Sequence, residues 1–199
     1  MKTITKTVMV LGVTAMTALS LPAFAAAPMS GQTFGVVDMN RVLQTTDAAK
    51  SIFKQMDAKR KSYQAEIARE EDKIRSSEEA LEKQKDTLSK SAFEDKQKGI
   101  EEQVISGQKM VQDRRQILDQ AFSNAMNELR HSAAQIVAHI AKEKHYSAVF
   151  TDDAVMMSTP DMDMTDAVIK QMNEKDRSIR VDWKKAAEAV SAAASAGGK

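Results

Sequence analysis

The chain has 199 residues, with 29 basic and 28 acidic side chains and a formal net charge of +1, so bulk electrostatic binding of nucleic acid is excluded. It has no cysteine, so it must fold without disulfides. With 5% aromatic and 29% charged residues, it suits long solvated helices better than one large buried core.

Lys2 and Lys6 precede an apolar run, Val8 to Leu21, and Ala23-Phe24-Ala25 then offers a small-x-small cleavage site. That order of basic, apolar and small residues predicts a cleavable signal peptide over residues 1–25. The run is too short for a comfortable membrane span, and nothing later approaches about 18 apolar residues in a row. Losing Lys2 and Lys6 leaves 27 basic against 28 acidic groups, a net charge near −1. A cysteine-free exported chain of this size fits a bacterial periplasm. Residues 26–33, small and polar, read as a flexible leader.

Phe34 to Met39 is apolar and β-branched enough for a short strand. Asp38, Asn40, Thr45, Thr46 and Asp47 supply turn and cap chemistry before a helix. From Asp47 to Ser89 there is neither proline nor glycine, which predicts a helix of some 40 residues, roughly 60 Å long. Ser89-Lys90-Ser91 is the expected turn, and a second helix follows from about Ala92 to Glu143.

Large apolar residues recur every seventh position on both helices: Ile67, Ile74, Leu81 and Leu88 on the first, Val104, Val111 and Leu118 (continued by Ala125) on the second. This is the coiled-coil period, and it predicts an antiparallel hairpin arm over residues 47–140 with its tip near 89–91. The second column of each seam is poor: Tyr63, Glu70, Ser77 and Gln84 on the first helix, Phe93, Ile100, Gly107, Arg114 and Ala121 on the second. Two half-stripes close on each other with little to spare. Gly99 and Gly107 each weaken the return helix by about 1 kcal/mol relative to Ala, so the arm reads as flexible.

Tyr146 to Thr151 and Ala154 to Ser158 read as two strands joined by an Asp152-Asp153 turn, and Thr165 as the cap of a helix from Asp166 to Asn173. Residues 176–199, rich in Ala, Ser, Gly and Lys, read as a low-complexity tail without a fold. The class is α+β: a long helical hairpin inserted in a small β-rich body over 34–46 and 141–175. So few strands bury too little, and unpaired edges need partners, so Val36, Val37, Val149, Phe150 and Val155 are expected to serve an association body.

No cofactor or metal site is expected. His131, His139 and His145 lack zinc-ligand spacing, and "DMDMTD" at Asp161–Asp166 has aspartate where a calcium loop needs glycine. No phosphate loop, nucleophile elbow or other catalytic constellation is present, so the chain does not read as an enzyme.

The order of signal peptide, "FGVVDMNRVLQTT", charged helical hairpin and "YSAVFTDDAVMMSTPDMDMTDAVIKQMNE" resembles the Skp (OmpH-like) periplasmic chaperone family over about Phe34 to Asn173. The resemblance implies a homotrimer, in which strands from three chains form a body carrying three arms around a cavity. It also implies ATP-independent holding of unfolded outer-membrane proteins. The tail after Trp183 lies outside the pattern.

Phe53, Met56, Ile105, Met110 and Ile117 are apolar residues that the hairpin seam does not use. They are candidates to face the cavity and touch client; the alternative is that they complete packing at the arm's base. Lys83, Lys85, Lys90, Lys96 and Lys98 near the tip are candidates for weak contact with anionic lipid or lipopolysaccharide, although Glu82, Asp86, Glu94 and Asp95 interleave with them. A structural coiled-coil adaptor that docks one fixed envelope partner is the other reading of this layout.

Overall fold

The computed structural model describes residues 33–196. The segment expected to be a signal peptide, and the expected leader apart from Thr33, lie outside them. In chain order the elements are β1 (Phe34–Val37), α1 (Met39–Thr45), α2 (Asp47–Gln84), α3 (Lys90–Glu143), β2 (Ala148–Thr151), α4 (Thr165–Lys175) and α5 (Trp183–Ala196). Short 3-10 turns at Asp152–Ala154 and Pro160–Met162 punctuate the stretch between β2 and α4.

Thr46 starts the arm. Its hydroxyl accepts from the Ala49 amide at 3.4 Å, and Asp47 places negative charge in the first turn of α2. With no glycine or proline inside it, α2 runs for 38 residues, about 57 Å. α3 is longer, 54 residues, and is capped by Ser89. Between them the chain turns over residues 85–89. This is earlier than the expected 89–91, because the Thr87 hydroxyl and the Leu88 amide both bond the Gln84 carbonyl and close the helix there.

At the far end α3 stops in a Schellman turn. The Tyr146 amide bonds the Ala141 carbonyl at 2.9 Å and the His145 amide bonds Lys142 at 3.3 Å. His145 takes the left-handed conformation, φ 56°, that glycine usually fills there. The turn aims β2 alongside β1. The two strands pair in parallel, Phe34 opposite Ala148 through Val37 opposite Thr151. Parallel strands need a long crossover, and here the whole arm supplies it.

The core sits where the arm meets this body. Ile52 and Met56 of α2, Ala121, Ala125, Leu129, Ala133 and Ile136 of α3, Val42 of α1, and Val168 and Met172 of α4 form one buried cluster. The alanines on α3 let neighbouring helices approach closely.

Two expectations fail here. Ala154–Ser158 forms no strand: the residues are apolar enough to be extended, but no backbone within the described chain pairs with them, and Met156 and Met157 stand almost wholly in solvent. The segment read as a tail without a fold contains α5. Trp183, Ala186, Ala187 and Val190 line its inner side at helical spacing, and it packs against α3. The connection into it is fixed by one amide. Gln55 donates to the Ile179 carbonyl at 2.7 Å and accepts from the Val181 amide at 3.0 Å.

Candidate functional site

The middle of the arm is held by a polar clasp. Arg114 of α3 makes two bonds to Glu66 of α2, at 2.7 and 3.2 Å, and lies 4.9 Å from the centre of the Tyr63 ring. Lys59 sits over the same ring at 4.7 Å and near Trp183 at 5.7 Å, so α5 joins the stack. The Arg114 hydrogen bonds hold the Glu66 carboxyl below the ordinary glutamate range. Burial pushes the Tyr63 phenol up.

Toward the tip the seam thins, as its poor second column requires. Leu81 is buried, while Ile67, Ile74, Leu88 and Val104 are half-buried. Gly107 leaves a gap opposite Ile74, and a cleft of about 320 Å³ opens there between Ile67, Ile74, Val104 and Met110. A second cleft, about 520 Å³, continues from it past Leu81, Phe93, Ile100 and Ile105. Nearer the root, Phe53 and Phe122 lie 6.1 Å apart, centroid to centroid, over a cleft of about 460 Å³ that also reaches Met56 and Leu118.

The client-contact candidates therefore divide. Phe53 and Ile105 are exposed, at 43% and 66%, and Met110 half lines the mid-arm cleft. Met56 and Ile117 are buried in the root core, with Met56 at the edge of the Phe53–Phe122 cleft. Ile117 belongs to the same buried cluster as Tyr63, Ala121 and Ala186. Within the second seam column, Val111 is 45% exposed at the mid-arm cleft, and Leu118 is half-buried against the root core.

The body residues also divide. Val36 and Val37 are buried in the chain's own core. Val149 and Val155 are half-buried, and Phe150 is 44% exposed against Phe34, with ring centres 5.9 Å apart. On its far side β1 meets Asp163 and Met164, whose amide bonds the Val36 carbonyl at 2.9 Å. No described residue pairs with the outer edge of β2. Phe150 on β2, and Met156 and Met157 a few residues after it, are exposed apolar side chains.

Two tip lysines are paired with acids, Lys85 with Glu82 and Lys90 with Glu94, while Lys96 donates to the uncharged amide of Gln84. Among the described residues there is no cluster of His, Asp and Glu able to hold a metal, and no helix long and apolar enough to cross a membrane. Sequence reading missed α5, although Trp183, Ala186, Ala187 and Val190 stand at i, i+3, i+4 and i+7. It also missed the Gln55 clamp, which no local pattern announces.

A family model described as outer membrane protein (OmpH-like) matches residues 33–172. Among solved structures, an OmpH-like protein from Caulobacter crescentus CB15 superposes with a TM-score of 0.72 at 18% identity, covering 76% of this chain and 89% of that one. No curated protein matches. The match over 33–172 takes in both strands, the whole arm and most of α4, and the chain belongs to the OmpH-like outer membrane protein family.

Proposed function

We propose that this protein is an ATP-independent holdase of the periplasm, which binds unfolded outer-membrane β-barrel proteins between helical arms and prevents their aggregation before assembly. The observation that carries this reading is a long, thin arm in an OmpH-like chain that leaves Phe53, Ile105 and Val111 exposed beside open clefts. Unfolded barrel strands present alternating apolar faces with nowhere to bury them. Many weak contacts along a yielding arm suit passive, reversible capture. The Caulobacter relative carries the provisional description of an outer membrane chaperone, which agrees.

The working form is a homotrimer, with the outer edge of β2, Phe150, Met156 and Met157 meeting neighbouring copies, so that three arms surround a cavity. An open strand edge with exposed apolar residues beyond it favours association. The signal peptide at residues 1–25 delivers the chain to the periplasm. Contact of the tip lysines with anionic lipid is a weak addition, since their acidic neighbours offset them.

The test dilutes a urea-unfolded β-barrel protein into buffer without nucleotide. The protein should suppress its aggregation at about one trimer per client, and light scattering should give the mass of three chains. A monomer, or failure to suppress aggregation, overturns the proposal. Capture of one folded partner instead would establish an adaptor.

A further inference from the structure

The two clefts along the outer arm are one groove. They share Glu78 and Val104, and together run from Ile67 to Glu82 on α2, about 22 Å of helix. The floor is apolar: Ile67, Ile74, Leu81, Val104, Phe93 and Ile100. Ile105 and Val111 stand at its margin, more exposed than any other large apolar side chain on this half of the arm.

The rim has one sign. Glu70, Glu71, Glu78, Glu82 and Glu101 border the groove against a single cation, Arg75. Lys73 and Lys85 pair with Glu70 and Glu82, and Arg75 itself pairs with Asp72. Among the described residues Glu71, Glu78 and Glu101 form no ion pair. The other side of the same seam differs: Arg69, Lys73 and Lys96 border its shallow clefts, beside Glu70 and Asp72.

We infer that this acidic-rimmed groove docks an extended client segment whose apolar side chains alternate with lysine or arginine. Extended chain rises about 3.3 Å per residue, so the groove spans six or seven residues, a large part of one barrel strand. Side chains on one face of such a segment enter the floor, and the cations on the other reach the glutamates at the rim. The inference rests on the holdase reading and adds to it a choice among client segments. A net charge near zero gives no such selection by itself; the arrangement of charge about the groove does.

Three fluorescent peptides of about nine residues test it against the protein in its native assembly: alternating Val-Lys, alternating Val-Glu, and alternating Ser-Lys. The Val-Lys peptide should bind about tenfold or more tighter than either of the others. Its advantage over Val-Glu should vanish in 1 M salt, where the screening length is about 3 Å. Replacing Glu71, Glu78 and Glu101 together by glutamine should remove the same advantage while the fold and the mass stay unchanged. Ile105→Ser with Val111→Ser should weaken both valine peptides alike.

Equal binding of Val-Lys and Val-Glu, or no effect of the triple glutamine variant, overturns the inference. So does a change of mass in the Ile105 and Val111 variant, which would assign the groove to a second copy of the chain. Suppression of aggregation by the wild-type protein is measured in parallel. Intact suppression with no peptide preference sinks this inference alone, whereas absent suppression sinks the holdase reading beneath it.

Discussion

The amide of Asp38 donates to the hydroxyl of Thr165 at 2.9 Å, joining residues 127 apart in sequence. Asp38 in turn caps α1 by accepting from Arg41 at 2.8 Å, and the Arg41 guanidinium reaches Asp166 at 2.7 Å. The Thr165 amide donates to Asp163, whose carboxyl the hydroxyl and amide of Thr165 hold below the usual range. Thr165 is 1% exposed. Thr165→Val keeps the shape and removes the acceptor, so it should cost about 1–3 kcal/mol, read as a lower urea midpoint. Asp166→Asn, at an exposed pair, should change little.

The Glu66–Arg114 clasp makes the middle of the arm acid-sensitive. The folded Glu66 carboxyl lies below its unfolded value, so its contribution is full above that value and is lost as pH falls below about 4. Both side chains are about one-third exposed, so the effect stays near 1 kcal/mol or less. Protection against hydrogen exchange across α2 and α3, measured relative to the intrinsic rate at each pH, should fall locally at low pH in the wild type. Glu66→Gln should already show the lower protection near pH 7 and change less on acidification.

If α5 is a packed helix, its two faces must answer differently to the same substitution. Ala186 is fully buried and Ala189 is exposed. Ala186→Leu should overpack and destabilise by about 1–3 kcal/mol, while Ala189→Leu should be nearly neutral. Equal, negligible effects on thermal unfolding would return the segment to an unstructured tail.

His145 ends α3 with φ at 56°. Its amide and carbonyl carry the hydrogen bonds there, so the side chain is dispensable for the turn. His145→Gly removes left-handed strain of about 1–2 kcal/mol, partly offset by the greater freedom of glycine in the unfolded chain. A net gain of about 0.5–1 kcal/mol should appear as a higher melting temperature.

The two glycines of α3 have room for a methyl group. A Cβ at Gly99 would meet nothing within 4 Å, and one at Gly107 would touch Ile74 at an ordinary 3.5 Å. Each Gly→Ala change should stabilise α3 by about 1 kcal/mol and slow hydrogen exchange in the outer arm. If arm flexibility serves capture, the double variant should hold bulky clients less well despite its greater stability. Gly35→Ala is the opposite case: its Cβ would come within 2.9 Å of the Tyr146 ring, and the body should lose stability.

The arm was legible because a heptad period is a direct record of one helix lying along another. Ile67, Ile74 and Leu81 announce their shared face without any knowledge of the rest of the chain. The root was less legible because three further helices, α1, α4 and α5, pack there, and periodicity counts faces without naming their occupants. That is why sequence left Met56 and Ile117 between client contact and packing at the base. Ala154–Ser158 failed for the converse reason: extended propensity was present, and among the described residues a pairing strand was not. The exposure of Phe53 and Ile105 could be read from their position off the seam. The acidic rim needed the structure, since Glu78 and Glu101 come together only when the hairpin closes.

Because β1 and β2 are neighbours in space but lie on opposite sides of the arm in sequence, how they meet matters. Phe34–Val37 precedes Ala148–Thr151 by more than a hundred residues. A random loop of that length would bring its ends together rarely. A hairpin that zips from its bend does so as a matter of course, turning a remote encounter into the last click of a fastener. The arm is thus also the courier that introduces the two halves of its own base.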